Sequence, residues 1–400
     1  MSLYGTMRTG VSGMNAQANR LGTVAENIAN SSTVGYKKAS VQFSSMILPT
    51  TNGAYNSGGV ETDVRYSISS QGTFSYTTSS TDLAVNGDGF FIVEGADGVE
   101  YLTRAGSFVV QDDGTLKNSA GYTLMGYEYS STADPTIVVN GFNGLEPINL
   151  SSASISATAS DAGALNVNLP SNAAVGDTEA TSLVAYDSQG NSRLIDFTYT
   201  KTADNVWSMT ATYAGPPATT VVPATTVTFD AAGQIVSPTS LTTTAFTVAG
   251  ADMLSMTIDI GTSSQLAADF SVEEGEINGN AASEVVGYEI DEAGVVSVVY
   301  DNGDLTPRFR VALASVQSPD NLNPVAGNLY TQSNSSGVIV MGYAGTSGFG
   351  SIISGALEDS NVDVAEELTA MIESQRNYTA NSKVFQTGSE LMETLVNLKR

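Results

Sequence analysis

Carboxylates are the most abundant side chains in this sequence that could carry out enzyme chemistry. The 400 residues include 41 Asp and Glu but no His and no Cys. That composition excludes thiol nucleophiles, His-dependent triads and the usual zinc ligand sets. Hydrolysis by paired carboxylates remains open, because a glycan hydrolase needs two acids close together. No spacing indicates that two of these acids share a pocket, so we predict no catalytic residue.

Two stretches could bind a ligand. The segment 202–307 contains Asp and Glu but no Lys or Arg. It lacks the spaced Asp-x-Asp-x-Asp-Gly pattern of a calcium loop, so we interpret it as a solvated acidic surface. The stretch "GTSGFG" at Gly345 to Gly350 lacks the Gly-Lys-Ser/Thr end of a phosphate loop, and we predict a flexible connector to the last helix. We therefore predict no metal and no cofactor.

The charge balance and the hydropathy limit the partners. The formal net charge of -26 would repel a phosphate backbone, so we predict no nucleic-acid partner. No run approaches the roughly 18 apolar residues of a membrane span, so we predict no membrane insertion. Arg8, Arg20 and Glu26 interrupt the first 30 residues, and we expect no cleaved signal peptide.

The N-terminal segment has the apolar spacing of a coiled-coil helix. Alternating steps of four and three residues predict a helix over about 3–29 with one apolar seam. Four glycines interrupt this helix and together cost roughly 2 to 4 kcal/mol, so we expect it to need partners along its length. The seam comprises Met7, Val11, Met14, Ala18, Leu21, Ala25 and Ile28, and the glycines are Gly5, Gly10, Gly13 and Gly22.

The C-terminal segment predicts a second amphipathic helix over 361–398. Ser360 followed by Asp363 has the spacing of a capping box at its start. Residues 1–48 have a net charge of +3 (4 minus 1) and residues 358–400 one of -4 (4 minus 8), so the two ends are complementary. Leu368, Met371, Tyr378, Phe385, Met392 and Val396 form one apolar stripe, and Ile372, Leu391, Leu395 and Leu398 form its neighbour.

The middle of the chain has the period-two alternation of β-strands. Two such runs flank a predicted turn at Lys201 to Asn205. A near-duplicate "PATT" at 217–220 and 223–226 is interpreted as slippage in a surface loop. We predict an α+β multidomain fold, with paired terminal coiled-coil-like helices and mainly-β middle domains inserted between them. The predicted domains are 1–30 with 361–400 (helical), 31–75 (a connecting segment with a hinge), 76–145 with 285–360 (β-rich) and 146–284 (an inserted outer domain).

Four stretches resemble the flagellar rod and hook family. "NIANSSTVGYKK" at 27–38 is similar to its N-terminal signature, and 360–400 is similar to its C-terminal helix. "DLAVNGDGFFIV" at 82–93 and the stretch at 101–127 also agree with the family. The signature residues are Asn27, Ala29, Asn30, Thr33, Gly35, Tyr36 and Lys37.

The resemblance implies a subunit of a helical tube on the outside of the cell, with both terminal helices packed around a central export channel. Length and the inserted region favour a subunit of the hook, a curved universal joint; the distal rod or hook-filament junction protein is the alternative. Implied partners are further copies of the chain, the rod, hook cap and hook-filament junction proteins, and the flagellar type III export apparatus. A secreted adhesin or a carboxylate-based glycan hydrolase is the remote alternative.

The predicted assembly interface lies on the two terminal helices. Its residues are Met7, Val11, Met14, Leu21, Ile28, Leu368, Met371, Tyr378, Phe385, Met392 and Val396.

Overall fold

The computed structural model describes residues 3–47, 57–130, 137–151, 155–346 and 348–398. Two helices flank a series of β-strands, which confirms the predicted α+β class. The chain divides into two compact units. Unit 1 comprises Met1–Ser152, Gly287–Val299 and Leu305–Arg400, and unit 2 comprises Ala153–Val286 and Tyr300–Asp304.

The elements follow one another along the chain as follows. The first part contains α1 (Leu3–Ala29), β1 (Ala39–Ile47), β2 (Ser57–Tyr66), β3 (Phe74–Tyr76), β4 (Leu83–Asn86), β5 (Phe90–Glu94), β6 (Glu100–Thr103), β7 (Phe108–Val110), β8 (Leu116–Asn118), β9 (Thr123–Glu128) and β10 (Glu146–Pro147). The middle contains β11 (Ser156–Thr158), β12 (Ala162–Asn168), β13 (Thr178–Tyr186), β14 (Ser192–Ala203), β15 (Val206–Tyr213), β16 (Thr219–Phe229), β17 (Ile235–Ser237), β18 (Ser240–Thr242), β19 (Phe246–Val248), β20 (Ala251–Met253), β21 (Thr257–Asp259), β22 (Ser271–Ile277) and β23 (Asn280–Ser283). The last part contains β24 (Val285–Ile290), β25 (Val295–Tyr300), β26 (Leu305–Val316), a 3-10 turn (Pro319–Asn321), β27 (Asn323–Val325), β28 (Leu329–Thr331), β29 (Ile339–Tyr343), β30 (Ser351–Ser354), β31 (Ala356–Glu358) and α2 (Val364–Leu398).

The start of α2 differs from the sequence prediction. The helix begins at Val364 rather than at residue 361, and Asp363 is its cap. Asp363 Oδ1 accepts hydrogen bonds from the backbone N–H groups of Ala365 at 2.8 Å and Glu366 at 3.2 Å. The Ser360 hydroxyl is buried without a hydrogen-bond partner. An aspartate satisfies the free N–H groups of a first turn as well as a serine does, and here it lies at the position where the backbone turns.

The β-part of unit 1 is built on a mostly antiparallel sheet in which β5 is central. Phe91 and Val93 pack in one buried cluster, while Phe90 and Ile92 pack in another. Because successive side chains of a strand point to opposite faces, both faces of β5 are covered. The family-like stretch at 82–93 therefore forms the centre of the unit 1 core.

A two-stranded hairpin connects α1 to this sheet. The strands β1 and β2 pair antiparallel, from Ala39 opposite Tyr66 to Ile47 opposite Ser57. Ser12 on α1 joins the helix to the hairpin, because its Oγ donates to Val60 O at 2.9 Å and accepts from Val60 N at 2.8 Å. The hairpin is thus held along the side of the helix.

Unit 2 has its own hydrophobic core between two sheets. The strands β13 to β17 form an antiparallel meander, and β18, β21, β12 and β22 form the second sheet. Phe197 and Trp207 from the meander are fully buried with Leu165 and Ile258 from the second sheet. The Trp207 Nε1–H donates to Gln265 Oε1 at 3.0 Å, so the buried indole is satisfied.

Two sequence predictions about unit 2 are wrong in detail. The turn predicted at Lys201 to Asn205 is present but shorter, at Asp204 and Asn205. Lys201 lies inside β14, and its ammonium donates to Ser171 O at 2.7 Å and Ala173 O at 2.9 Å. The second "PATT" copy lies within β16, where the register shifts twice opposite β15. A bulge accommodates Pro223 because proline cannot donate to the ladder, so the second copy is strand rather than loop.

The described residues of the "GTSGFG" stretch lie between two strands and do not connect to the last helix. The two strands are β29 and β30, and Gly345 N donates to Gly350 O at 3.0 Å. In the described part of the chain, no helix is long and apolar enough to span a membrane. The same residues contain no group of three acidic side chains placed to hold a metal ion.

The separate cores predict separate responses to mutation. Phe197→Ala should lower the free energy of unfolding of unit 2 by about 3 to 5 kcal/mol, because it removes a fully buried ring. Trp207 is the only tryptophan in the sequence, so its fluorescence in urea reports this unit. Phe91→Ala, equally buried in unit 1, is the control and should leave the Trp207 midpoint unchanged. An equal shift in both variants would show that the units unfold together.

Candidate assembly site

The predicted signature begins where α1 ends. Asn30 Nδ2 donates to Glu26 O at 2.9 Å, which satisfies a carbonyl of the last helical turn. Thr33 Oγ1 donates in turn to Asn30 Oδ1 at 3.2 Å. These two side chains hold the chain as it leaves the helix.

Gly35 is required by backbone conformation and by close approach. Its φ is +69°, in the left-handed region that favours glycine. A Cβ atom at this position would lie 2.6 Å from Ala105 N, and Gly35 N donates to Glu358 O at 2.8 Å. Glycine at this position therefore lets the chain turn as it leaves α1.

Asn27 is a buried hub between α1, the hairpin and α2. Its Nδ2 donates to Ala39 O at 2.7 Å and Glu367 Oε2 at 3.1 Å. Its Oδ1 accepts from Ala39 N at 3.0 Å and from the Tyr36 hydroxyl at 3.1 Å. Burial raises the pKa of Tyr36 to about 12, with the nearby Glu26 carboxylate adding to the shift, so the phenol remains a donor.

Lys37 forms a buried ion pair with Glu358, just before α2. Lys37 Nζ lies 2.6 Å from Glu358 Oε1, and neither side chain is more than 1% exposed. Lys37 also donates to Ser70 O at 2.6 Å, and Gly72 N donates to Glu358 Oε1 at 2.9 Å. Arg104 is the second cation, with Nη1 lying 3.3 Å from Glu358 Oε2.

Burial opposes the charged form of these groups. It lowers the pKa of Lys37 and of Arg104, and the Glu358 carboxylate partly offsets both shifts. Arg104 also donates to Gly87 O at 2.9 Å and Val85 O at 3.3 Å, while its Nε–H has no partner. The Glu358 carboxylate lies between these two cations. It therefore links the segment that leaves α1 to β4, to β6 and to the segment before α2.

The contacts around Lys37, Arg104 and Glu358 form a junction between the two ends of the chain. A second, more exposed set of contacts continues this junction into α2. Lys38 Nζ lies 2.9 Å from Glu367 Oε1 and 3.0 Å from Glu366 Oε2. Asn361 Oδ1 accepts from Lys38 N at 2.7 Å, and its Nδ2 donates to Ser67 O at 3.0 Å. The predicted charge complementarity of the two ends is confirmed by these pairs.

Small residues mediate the contact between α1 and α2. A Cβ atom at Gly10 would lie 3.3 Å from Asn381 O, and one at Gly13 would lie 2.7 Å from Asn381 Nδ2. A Cβ atom at Gly388 would lie 2.7 Å from Met7 Cγ. The helices run antiparallel, with Arg20 Nη2 lying 3.0 Å from Glu373 Oε2 further along. The glycines at 10 and 13 therefore permit close helix packing.

Two residues of the predicted assembly interface take part in this contact, because Met7 packs at Gly388 and Phe385 packs at Gly10, and the others lie beside it. All of these interface residues are either half-buried or exposed within the single chain. Met7, Met14, Leu21, Ile28, Met371 and Phe385 are half-buried, whereas Val11, Leu368, Tyr378, Met392 and Val396 are exposed.

The sequence analysis missed Arg104, Glu358 and Asn361 as members of the junction. Arg104 lies in the family-like stretch 101–127, and Asn361 lies in 360–400. Glu358 could be found only as one acidic residue of a net negative segment. Local spacing does not reveal which of many carboxylates is buried opposite Lys37.

Family models match four parts of the chain. "Flagella basal body rod protein" matches residues 7–37, and "Flagellar hook protein FlgE/F/G D1 domain" matches 84–174. "Flagellar basal body protein FlaE D2 domain" matches 149–280, and "Flagellar basal body rod FlgEFG protein C-terminal" matches 353–398. The chain thus has the parts of the flagellar rod and hook class, as the sequence resemblance predicted.

Similar proteins of known name identify the family within the rod and hook class. The flagellar hook protein FlgE of Rhizobium meliloti (strain 1021) is 60% identical over 406 residues, covering 100% of both chains. That of Brucella suis biovar 1 (strain 1330) is 47% identical over 405 residues, also covering 100% of both. The crystal structure of Helicobacter pylori flagellar hook protein FlgE2 shares the fold, with a TM-score of 0.53 at 15% identity, covering 70% of this chain and 98% of that one. The chain belongs to the flagellar hook protein family.

The buried ion pair predicts a large effect of a nearly isosteric change. Glu358→Gln should lower the free energy of unfolding of unit 1 by about 3 to 5 kcal/mol, because Lys37 and Arg104 would keep buried charges without a counter-ion. Glu366→Gln is the matched control and should cost less than about 1 kcal/mol, since that carboxylate is 69% exposed. Urea denaturation followed by circular dichroism measures both. Equal small losses would contradict a structural role for the buried pair.

The close helix contact predicts different effects at two glycines. Gly10→Val should destabilise the α1–α2 pairing by about 1 to 3 kcal/mol, because the new side chain pushes on the α2 backbone. Gly22→Val should be close to neutral, since a Cβ atom there meets nothing within 4 Å. Hydrogen exchange of α2 amides compares the two variants. Equal protection in both would mean that Gly10 is not a packing position.

Proposed function

We propose that this chain is a structural subunit that polymerises into the flagellar hook, a curved and flexible helical tube. In this assembly the paired helices α1 and α2 form the inner layer around a central export channel. The observation that carries the proposal is the apolar surface that α2 leaves exposed in the single chain. The full-length relatives named as hook proteins support the same role.

The exposed apolar surface of α2 is extensive for a helix already paired with another. The α1 contact uses Gly10, Gly13, Asn381 and Gly388, together with Met7 and Phe385, and leaves most of the larger apolar side chains of α2 outside it. Each such side chain contributes about 1.5 to 3 kcal/mol when fully buried, so neighbouring copies gain cohesion by covering them. The exposed apolar positions of α2 are Val364, Leu368, Ile372, Tyr378, Val384, Leu391, Met392, Leu395 and Val396.

The junction around Lys37 and Glu358 suits a protein that transmits torque. A load applied to the helices must reach the strands through residues 30–38 and 358–363. Those segments are linked by the charge-assisted hydrogen bond of Lys37 with Glu358 and by the hydrogen bond from Lys38 N to Asn361 Oδ1. The junction therefore couples the inner helices to the β-part of unit 1.

Unit 2 supplies a different kind of surface. Its strands place Ser and Thr at exposed positions, such as Thr178 and Ser182 on β13 and Thr220 and Thr226 on β16. Contacts between such surfaces are wet and individually weak, so they break and re-form at low cost. A bent rotating tube needs this property in its outer layer, because each strand of subunits lengthens and shortens once per turn. We assign the outer position to the region predicted at 146–284.

The remaining features of this role are proposals as well. The chain would leave the cell through the flagellar type III export apparatus without a cleaved signal peptide, and would function outside the cell in the hook. Its partners would be further copies, the rod, the hook cap and the hook-filament junction proteins. We assign it no catalytic activity and no cofactor, and we place it in the hook rather than in the distal rod because its full-length relatives are named for the hook.

Polymerisation of purified protein tests the proposal. Leu368→Asp should abolish tube formation, because burying an unpaired carboxylate between copies is costly. Leu368 is exposed in the single chain, so the variant should retain the circular dichroism spectrum and unfolding midpoint of the parent. Thr369→Asp, on the next residue of the same helix, is the control and should still form tubes. Electron microscopy and sedimentation give the readout; normal tubes from Leu368→Asp would contradict an inner role for this face.

A further inference from the structure

A groove of about 490 Å³ lies between α1 and the hairpin strand β2. Its apolar lining includes Met7, Val11, Val60 and Phe385, and Arg8 contributes the positive charge. The two Ser12–Val60 hydrogen bonds, at 2.9 and 2.8 Å, fix the helix against the hairpin. Polar side chains, among them Ser12, Asn15 and Thr62, line the groove beside the apolar ones, so it is a built feature of unit 1 with a mixed lining.

The last turns of α2 carry a second unpartnered surface, the terminal apolar face. Leu391, Met392, Leu395 and Val396 are 51%, 37%, 54% and 60% exposed. Leu395 and Val396 lie past the start of α1, because Met7 packs at Gly388 and α1 begins at Leu3, about one turn earlier. The end of α2 therefore extends beyond the described part of α1.

We propose that the terminal apolar face of one copy docks into the α1–β2 groove of a second copy. This inference rests on the proposed polymerisation, and it names the surface of a neighbouring copy that covers the end of α2. The aliphatic side chains of the terminal apolar face match the apolar part of the groove lining, which is aliphatic and aromatic. The two surfaces also match in charge through Arg8 and Glu393.

Arg8 and Glu393 occupy equivalent places at the edges of the two surfaces. Arg8 is exposed, lies three residues from Val11, and forms no ion pair among the residues that the structure describes. Glu393 is also exposed and lies three residues from Val396. Residues three apart are neighbours on a helix surface, so each charge borders its apolar set. Docking brings Arg8 and Glu393 together between copies.

A chain cannot fill its own groove with this face. Gly10 packs against Asn381 and Phe385, so Val11 lies near that level of α2. Leu395 lies ten residues beyond Phe385, which is about 15 Å along the helix. The occupant must therefore come from another copy.

A cysteine pair tests the contact directly, because the parent sequence contains no cysteine. Val11→Cys combined with Leu395→Cys should form disulfide-linked multimers in the polymer under mild oxidation and none in dilute monomer. A disulfide requires Cα atoms within about 7 Å, so the bond reports close contact. Val11→Cys with Asn397→Cys is the control, since residue 397 points about 160° away from residue 395. Equal cross-linking in both pairs, or none in either, would overturn the inference.

Charge reversal supplies an independent readout. Arg8→Glu and Glu393→Arg should each raise the critical concentration for polymerisation about fivefold, the equivalent of about 1 kcal/mol per contact. The double variant should restore it, because the pair is re-formed with its signs exchanged. Additive losses in the double variant would overturn the inference.

The outcomes separate this inference from the proposed function. Tubes that form normally by electron microscopy but lack the Val11–Leu395 cross-link would reject this docking and leave the hook role standing. A parent protein that never forms tubes would reject the hook role, and the docking with it.

Discussion

The burial of Glu358 between Lys37 and Arg104 is the constraint on which the architecture of unit 1 depends. Each charge alone would be too costly to bury. The Glu358 carboxylate offsets the charge of both cations, which repel each other. The three residues come from the exit of α1, from the end of β6 and from the approach to α2. The sheet, the hairpin and both helices therefore meet at one polar centre, although most of the stabilising area of unit 1 lies in its apolar clusters.

The helix pair follows a different principle, in which close approach replaces large side chains. Gly10, Gly13 and Gly388 bring the backbones together, and Asn27 and Arg20 supply polar contacts to α2. A contact made from small and polar residues leaves the Leu, Ile and Val side chains of α2 free for other surfaces. The same arrangement explains why the single chain exposes apolar residues along a helix that is already paired.

Sequence reasoning succeeded where the determining interactions are local. Apolar spacing predicted α1 with its observed bounds and α2 to within three residues. The difference at the start of α2 arises because Asp363, and not Ser360, caps its first turn. Sequence reasoning was less informative where partners are distant. Arg104 and Glu358 are 254 residues apart, and no periodicity indicates that they meet. The "PATT" copy was misread because a bulge lets a strand contain proline, which depends on the neighbouring strand rather than on the segment itself.

The pairing of α1 with α2 also has a consequence for the order of folding. The contact between Arg20 and Glu373 closes a loop of 353 residues, so it is among the most non-local contacts in the chain. Contacts of such high sequence separation form late, since the entropy of loop closure must be met first. During synthesis, α1 has emerged long before its helical partner exists. The newly made chain therefore has a prolonged period in which its first thirty residues are accessible to any factor that must recognise it before it folds.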